Sequence, residues 1–114
     1  MQMKRAHKIA TRPSARHVRV ELDGQVLAET DRALELEETG LPTRFYIPRD
    51  DIRMDLLEPS ATTSHCPFKG DATYYSAGGV ADAFWVYEAP DQEAARPIAG
   101  RLAPWPGRVD VLVG

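Results

Sequence analysis

Residues 62–75 hold most of the side chains in this sequence that have the means to do chemistry. The stretch contains the one cysteine of the chain, Cys66, together with His65, Lys69, Asp71 and several hydroxyl residues. A cysteine becomes a nucleophile when a neighbouring base or positive charge favours its thiolate. The composition of the stretch therefore predicts a site, although its spacing matches no catalytic signature that names a reaction.

Cys66 is the first candidate nucleophile. Successive side chains on an extended strand point to opposite faces, so we do not expect His65 and Cys66 to form a dyad. Lys69 follows the turn at Pro67 and is the better candidate for stabilising a thiolate. The alternative interpretation treats Cys66 as a small buried apolar residue.

Two carboxylates, Glu38 and Asp71, join Cys66 and Lys69 as candidate catalytic residues because either can act as an acid or a base. No paired spacing such as Cys-x-x-Cys or His-x-x-x-His occurs in the chain, and one cysteine cannot build a cysteine-rich zinc site. We therefore expect neither a metal ion nor a cofactor.

A turn that carries Lys69 and Gly70 can bind an anion through its backbone and its lysine. Together with Arg44, Arg49 and Arg53 it predicts a pocket for a carboxylate or a phosphate. The alternative is that these arginines pair with surface carboxylates. The aromatic residues near the pocket likewise have two interpretations, as a stacking platform or as part of the core.

The charge distribution bears on the partners of the protein. The chain has a net charge of −3, but residues 1–20 carry six basic side chains and no acidic one, which leaves eight basic against seventeen acidic side chains in the remainder. An acidic body repels phosphate backbones, so we do not expect nucleic acid as a partner. Residues 1–15 are predicted to form a basic, loosely ordered arm before a single β-rich domain at 16–114.

The single cysteine excludes an internal disulfide and fits a reducing, cytoplasmic setting. No apolar run approaches the ~18 residues that a membrane-spanning helix needs, and the N-terminus lacks the apolar stretch of a secretory signal. We therefore expect no membrane partner. The oligomeric state stays open.

Alternating apolar residues and frequent turn signals predict a mainly antiparallel β fold with one or two short helices. The strongest signal is the Asp23-Gly24 turn, which joins strands at 18–22 and 25–29 into a hairpin. Further strands are predicted at 33–38, 44–47, 62–66, 71–76, 81–87 and 108–113. Helical turns are predicted within 49–57 and 91–95, with Asp50 and Asp91 as caps. Gly100, Pro104 and Pro106 predict an irregular stretch between the last two strands.

Residues 64–74, Ser-His-Cys-Pro-Phe-Lys-Gly-Asp-Ala-Thr-Tyr, resemble the hallmark of a mostly bacterial family, domain of unknown function 427, sometimes labelled nucleotidyltransferase-like. The likeness extends from about Arg16 to Val113 and includes Glu38-Thr39-Gly40 and Trp85-Val86-Tyr87. Ser64 replaces the usual threonine. Pro104-Trp105 replaces a usual Phe-Tyr pair, which puts the backbone pairing of that strand in question because proline donates no hydrogen bond.

The resemblance implies a β-tent-like fold of two antiparallel sheets packed nearly at right angles, with a ligand cleft between them. Many relatives of that fold hold zinc with two Cys-x-x-Cys knuckles, which this chain lacks, so zinc does not carry over. The family label implies nucleotidyl transfer, but a Gly-Ser motif with paired metal-binding aspartates is absent.

The sequence predicts binding of a small ligand, anionic or nucleotide-like, in a pocket around residues 64–71. The predicted ligand-binding residues are Tyr46, Arg49, Ser64, His65, Cys66, Lys69 and Trp85. In this interpretation Lys69 and an arginine neutralise the ligand, Tyr46 or Trp85 stacks on it, and Ser64 donates a hydrogen bond. The alternatives are an enzyme, either a nucleotidyltransferase or one dependent on Cys66, and a structural or interaction module without a ligand.

Overall fold

The computed structural model describes residues 6–114, and its secondary structure is mainly β, as predicted. Within this range the strands form three antiparallel sheets, where the resemblance implies two. The strands are β1 Ile9–Pro13, β2 Val18–Leu22, β3 Gln25–Thr30, β4 Leu34–Glu38, β5 Arg44–Tyr46, β6 Leu57–Cys66, β7 Gly70–Ala77, β8 Val80–Tyr87, β9 Leu102–Pro104 and β10 Asp110–Val113. Their orders are β1-β4-β5, β10-β2-β3 and β6-β7-β8-β9.

The predicted hairpin is confirmed as β2 and β3. Its turn residues Asp23 and Gly24 have φ angles of 50° and 80°. Two consecutive positive φ angles match the right-handed twist of the flanking strands, and an Asp-Gly pair adopts them readily. A β-bulge follows Val20. This hairpin supplies Val18, Val20 and Leu27 to the core.

The four-stranded sheet contributes to two separate apolar clusters. On β8, Phe84 and Val86 belong to the first cluster, whereas Trp85 and Tyr87 pack in the second. This division follows from the alternation of side chains along a strand. The second cluster also contains Tyr46 from β5, so it joins this sheet to the sheet of β1, β4 and β5.

Short 3₁₀-helices span Arg49–Asp51, Met54–Leu56 and Glu93–Ile98. The predicted caps are wrong: Pro48 and Gln92 precede the first and last of these helices, and neither makes a side-chain capping bond. Because the first helix begins at Arg49, Asp50 lies inside it and is not its cap. No helix within residues 6–114 has the length and apolarity to cross a membrane.

The N-terminal arm differs from its prediction, because Ile9–Pro13 forms β1 and pairs with β4 from Ile9↔Glu38 to Pro13↔Leu34. As an edge strand β1 buries few side chains, and it therefore lacks the apolar alternation that identifies a strand. The part of the predicted arm at residues 1–5 lies outside the described residues.

The stretch predicted as irregular also contains a strand, since β9 pairs with β8 up to Phe84↔Pro104. Pro104 ends an edge strand, a position at which its missing N–H disturbs little. The next residue, Trp105, donates its backbone N–H to the Ala83 carbonyl at 2.8 Å. Pairing with β8 thus continues past the proline.

Candidate ligand pocket

A pocket of about 260 Å³ opens on the side of the four-stranded sheet that carries the second cluster. Its walls come from β4, β5, β7 and β8, from the turn before β7, and from loops next to β4 and β9. The lining residues are Leu36, Glu38, Leu41, Pro42, Arg44, Tyr46, Lys69, Tyr74, Trp85, Tyr87, Trp105 and Pro106. Five of these twelve residues are aromatic and three are charged.

Trp85 is the centre of the aromatic wall. Its ring is perpendicular to Tyr46, with centroids 6.3 Å apart at 87°, and to Trp105, at 5.9 Å and 86°. The Trp85 indole N–H donates to the Tyr46 hydroxyl oxygen at 3.0 Å. Edge-to-face contacts and this hydrogen bond fix the rings relative to one another.

Tyr46 is almost fully buried, with 1% of its surface exposed. This burial raises the pKa of the Tyr46 phenol well above its ordinary value, and burial has the same effect on the pKa of Tyr87. Both phenols therefore keep their protons at neutral pH. Because the Tyr46 oxygen already accepts from Trp85, its own hydrogen is available to another acceptor.

A buried ion pair lies beside the aromatic wall. Lys69 Nζ donates to Glu38 Oε1, and the two side chains are 9% and 5% exposed. The second carboxylate oxygen, Glu38 Oε2, lies 2.9 Å from His7 Nε2. The His7 ring stacks on Phe68 at 3.8 Å, and the Lys69 ammonium lies 5.7 Å from the centroid of the Tyr87 ring. Both oxygens of Glu38 are thus engaged by the protein.

Arg44 supplies the pocket with positive charge. Its guanidinium carbon lies 5.7 Å from the centroid of the Trp85 ring. Among residues 6–114, Arg44 takes part in no ion pair with a carboxylate. Since Lys69 and Glu38 neutralise each other, Arg44 leaves the lining side chains with one net positive charge.

The structure brings four of the predicted site residues together in the pocket: Glu38, Tyr46, Lys69 and Trp85. Arg49 lies elsewhere and pairs with Glu88 at 2.8 Å. Arg53, the third arginine predicted to frame the pocket, pairs with Asp55 at 2.9 Å on the surface. Of the three arginines in that prediction, only Arg44 lines the pocket.

The remaining predicted residues, Ser64, His65, Cys66 and Asp71, do not line the pocket. Ser64 Oγ lies 2.8 Å from the hydroxyl of Tyr74, so it contacts a lining residue. His65 Nδ1 lies 2.7 Å from Asp71 Oδ1, and both of these side chains are exposed.

Cys66 is half-buried and packs against the second cluster, whereas its neighbour His65 faces solvent with Asp71. Alternation along β6 separates the two residues, as expected for an extended strand. Lys69 is directed to Glu38, and its backbone N–H donates to the Cys66 carbonyl at 3.2 Å. Within residues 6–114, no three His, Cys, Asp or Glu side chains are placed to hold a metal ion.

Three aromatic lining residues, Trp105, Tyr74 and Tyr87, were not predicted from the sequence as specific members of the site. Side chains alternate along β8, so Tyr87 lies on the same face as Trp85. This alternation was sufficient to predict Tyr87 as a lining residue. No sequence pattern indicated Trp105, because it follows a strand of only three residues and lies between two prolines, which are not typical of a strand.

We expect the Gly70→Ala variant to lose about 1–3 kcal/mol of unfolding free energy, because a side chain at this backbone conformation is strained. Gly70 has a φ angle of 101°, and a Cβ atom there would lie 3.3 Å from Asp91 Oδ2 and 3.4 Å from the Ala89 carbonyl oxygen. Chemical denaturation measures the loss.

Gly79→Ala is the matched control, because its φ angle is 83° and a Cβ atom there would meet nothing within 4 Å beyond its chain neighbours. The difference between the two variants isolates the contact with the segment at 89–91. A Gly70→Ala variant as stable as the parent would contradict the assigned turn conformation.

The family model described as "Domain of unknown function (DUF427)" matches residues 10–114, a range that contains every lining residue of the pocket. A comparison with curated proteins gives no match. The resemblance seen at residues 64–74 is confirmed by this match, which covers nearly the whole described chain. The protein belongs to the DUF427 family.

Proposed function

We propose that this protein binds a small planar molecule with an anionic substituent, and that the aromatic pocket is its binding site. The observation that carries the proposal is Arg44, a cation without an ion-pair partner among residues 6–114, placed over Trp85 inside an aromatic pocket. Aromatic walls with a few convergent polar groups are characteristic of small-molecule sites.

The size of the pocket limits the ligand. Its volume of about 260 Å³ lies just below the ~300 Å³ at which pockets for drug-sized ligands begin. Trp85 and Trp105 present aromatic surface at right angles, which suits a flat ring held by one face and one edge. A molecule of one or two rings fits these limits.

The roles of the charged residues differ from those predicted from the sequence. Lys69 was expected to neutralise the ligand, but its ammonium is paired with Glu38. Arg44 takes this role in the proposal, since a guanidinium donates two parallel hydrogen bonds to a carboxylate or phosphate. Ser64 forms a hydrogen bond with Tyr74 and does not line the pocket, so it has no direct contact with the ligand in this proposal.

Intrinsic fluorescence tests the proposal, because both tryptophans of the chain line the pocket. Across a panel of anionic ring compounds in which nucleotides are also tested, we expect at least one class to change the tryptophan emission saturably. Replacing Arg44 with Gln removes a charged hydrogen bond worth about 1.5–3 kcal/mol and is expected to weaken binding by at least ~10-fold. Arg53→Gln is the matched control, because Arg53 lies outside the pocket.

An absence of saturable emission change across the whole panel would overturn the proposal. If, in addition, substitutions of the lining residues altered only stability, the pocket would be a packing feature and the structural-module interpretation would replace ours. The enzymatic alternatives, nucleotidyl transfer and Cys66 chemistry, stay predictions.

A further inference from the structure

Resting on the proposed function, we infer that the pocket selects a single-ring carboxylate whose ring carries no hydrogen-bond donors, and that it discriminates against nucleotides. The inference comes from the hydrogen-bonding groups that the lining side chains still have available. Each of these groups is identified by the partners it already has in the folded protein.

The pocket has little acceptor capacity to offer a ligand. Glu38 is the one carboxylate among the lining residues. Lys69 engages its Oε1 and His7 its Oε2, and its side chain is only 5% exposed. The other side-chain acceptors are the neutral hydroxyls of Tyr46, Tyr74 and Tyr87, which accept more weakly than a carboxylate, and that of Tyr74 is already bonded to Ser64 at 2.8 Å. A ligand N–H therefore meets no available carboxylate.

Donors, in contrast, are plentiful. The Arg44 guanidinium has five N–H groups and no carboxylate partner among residues 6–114. The Tyr46 hydroxyl can donate, because its oxygen accepts from Trp85 at 3.0 Å. The Lys69 ammonium has three N–H groups, of which one is directed to Glu38. A ligand carboxylate offers two acceptor oxygens to this set of donors.

The same inventory opposes an amide or a nucleobase in this pocket. A buried N–H that loses its water without gaining an acceptor weakens binding by about 5-fold to 100-fold. An amino or imino group of a nucleobase would incur this loss. Exchange of a carboxylate for a carboxamide would both add N–H donors and remove the charge that pairs with Arg44.

Charge and volume also favour a monocarboxylate over a nucleotide. The lining side chains carry one net positive charge, from Arg44, which matches a single carboxylate. A phosphate ester carries up to two negative charges, and the chain as a whole has a net charge of −3. A base, a sugar and a phosphate together would also have to share about 260 Å³.

Two matched ligand pairs test the inference on the full chain: nicotinate against nicotinamide, and benzoate against benzamide, with adenosine monophosphate as the nucleotide probe. The members of each pair share a ring and differ only in the group that meets Arg44. Titration calorimetry and tryptophan emission give the dissociation constants. We expect each carboxylate to bind at least ~10-fold more tightly than its amide and than the nucleotide. In Arg44→Gln we expect this preference to narrow, because the charged hydrogen bond is lost and only the cost of the unpaired amide N–H remains, whereas Arg53→Gln retains it in full.

The outcomes separate this inference from the function on which it rests. If an amide or the nucleotide binds as tightly as the carboxylates, the selectivity inferred here is wrong and the proposed binding function stands. If none of the five compounds binds, and the wider panel of ring compounds also fails, the proposed function itself is overturned. A preference of unchanged size in Arg44→Gln would refute the role assigned to Arg44.

Discussion

Replacing Glu38 with alanine is expected to lower the free energy of unfolding by about 3–5 kcal/mol, which is the cost of removing one partner from a buried ion pair. The Lys69 side chain is 9% exposed, and its ammonium would remain beside the aromatic wall without its carboxylate. His7 would lose the same partner. Chemical denaturation followed by circular dichroism measures the loss without relying on the tryptophans of the pocket.

Glu37→Ala provides the control, because Glu37 is the neighbouring glutamate on β4 with a side chain 52% exposed, and it pairs with Arg12 at 3.2 Å. An exposed pair contributes at most about 1 kcal/mol. The double variant Glu38→Leu with Lys69→Met removes both charges and is expected to recover most of the stability, because apolar replacements of a buried pair are often well tolerated. Equal losses in Glu38→Ala and Glu37→Ala would show that the pair is not buried in solution.

Phe84→Ala and Trp85→Ala are expected to have opposite consequences, although the residues are adjacent on β8. Phe84 has no exposed surface and lies in the first cluster, so its truncation is expected to cost about 3–5 kcal/mol of unfolding free energy. It does not line the pocket, and ligand affinity should stay unchanged. Trp85 is only half-buried and lines the pocket, so its truncation should abolish binding with a smaller loss of stability.

The comparison uses denaturation for stability and calorimetry for binding, and Trp105 remains as a fluorescent reporter in Trp85→Ala. If each variant lost both stability and ligand affinity to the same degree, the result would contradict the assignment of Phe84 and Trp85 to two different faces of the sheet. The β6–β9 sheet would then support one continuous core in place of a packed face and a binding face.

Local patterns in the sequence were sufficient to predict most of the strands. The Asp23-Gly24 turn predicted the hairpin because positive φ angles at both positions are a local requirement. Strand β1 was not predicted, because an edge strand leaves most of its side chains in solvent and needs no apolar alternation. The irregular stretch predicted around Pro104 was wrong, because a proline disturbs a strand only when the strand is not at an edge of its sheet. The position of a strand in its sheet is a property of the whole sheet, which local sequence does not contain.

The site was less predictable, because its defining contacts join distant parts of the chain. Glu38 and Lys69 are 31 positions apart, and their pairing depends on how the β4 and β7 regions meet across two sheets. The sequence identified both as chemically capable, yet spacing contains no information that they neutralise each other. For the same reason it indicated several arginines and could not single out Arg44, whose role follows from the partners of the others.

The most direct test of the central claim, that the aromatic pocket binds a planar anion, is a nuclear magnetic resonance titration that follows the two tryptophan indole N–H signals. Indole N–H protons resonate apart from backbone amides as a rule, and the side chains of Trp85 and Trp105 both line the pocket. On addition of nicotinate we expect both to shift saturably with one dissociation constant, while the backbone amides of the β2–β3 hairpin stay in place. Indole signals that do not move, in a titration in which other parts of the chain respond, would contradict the account.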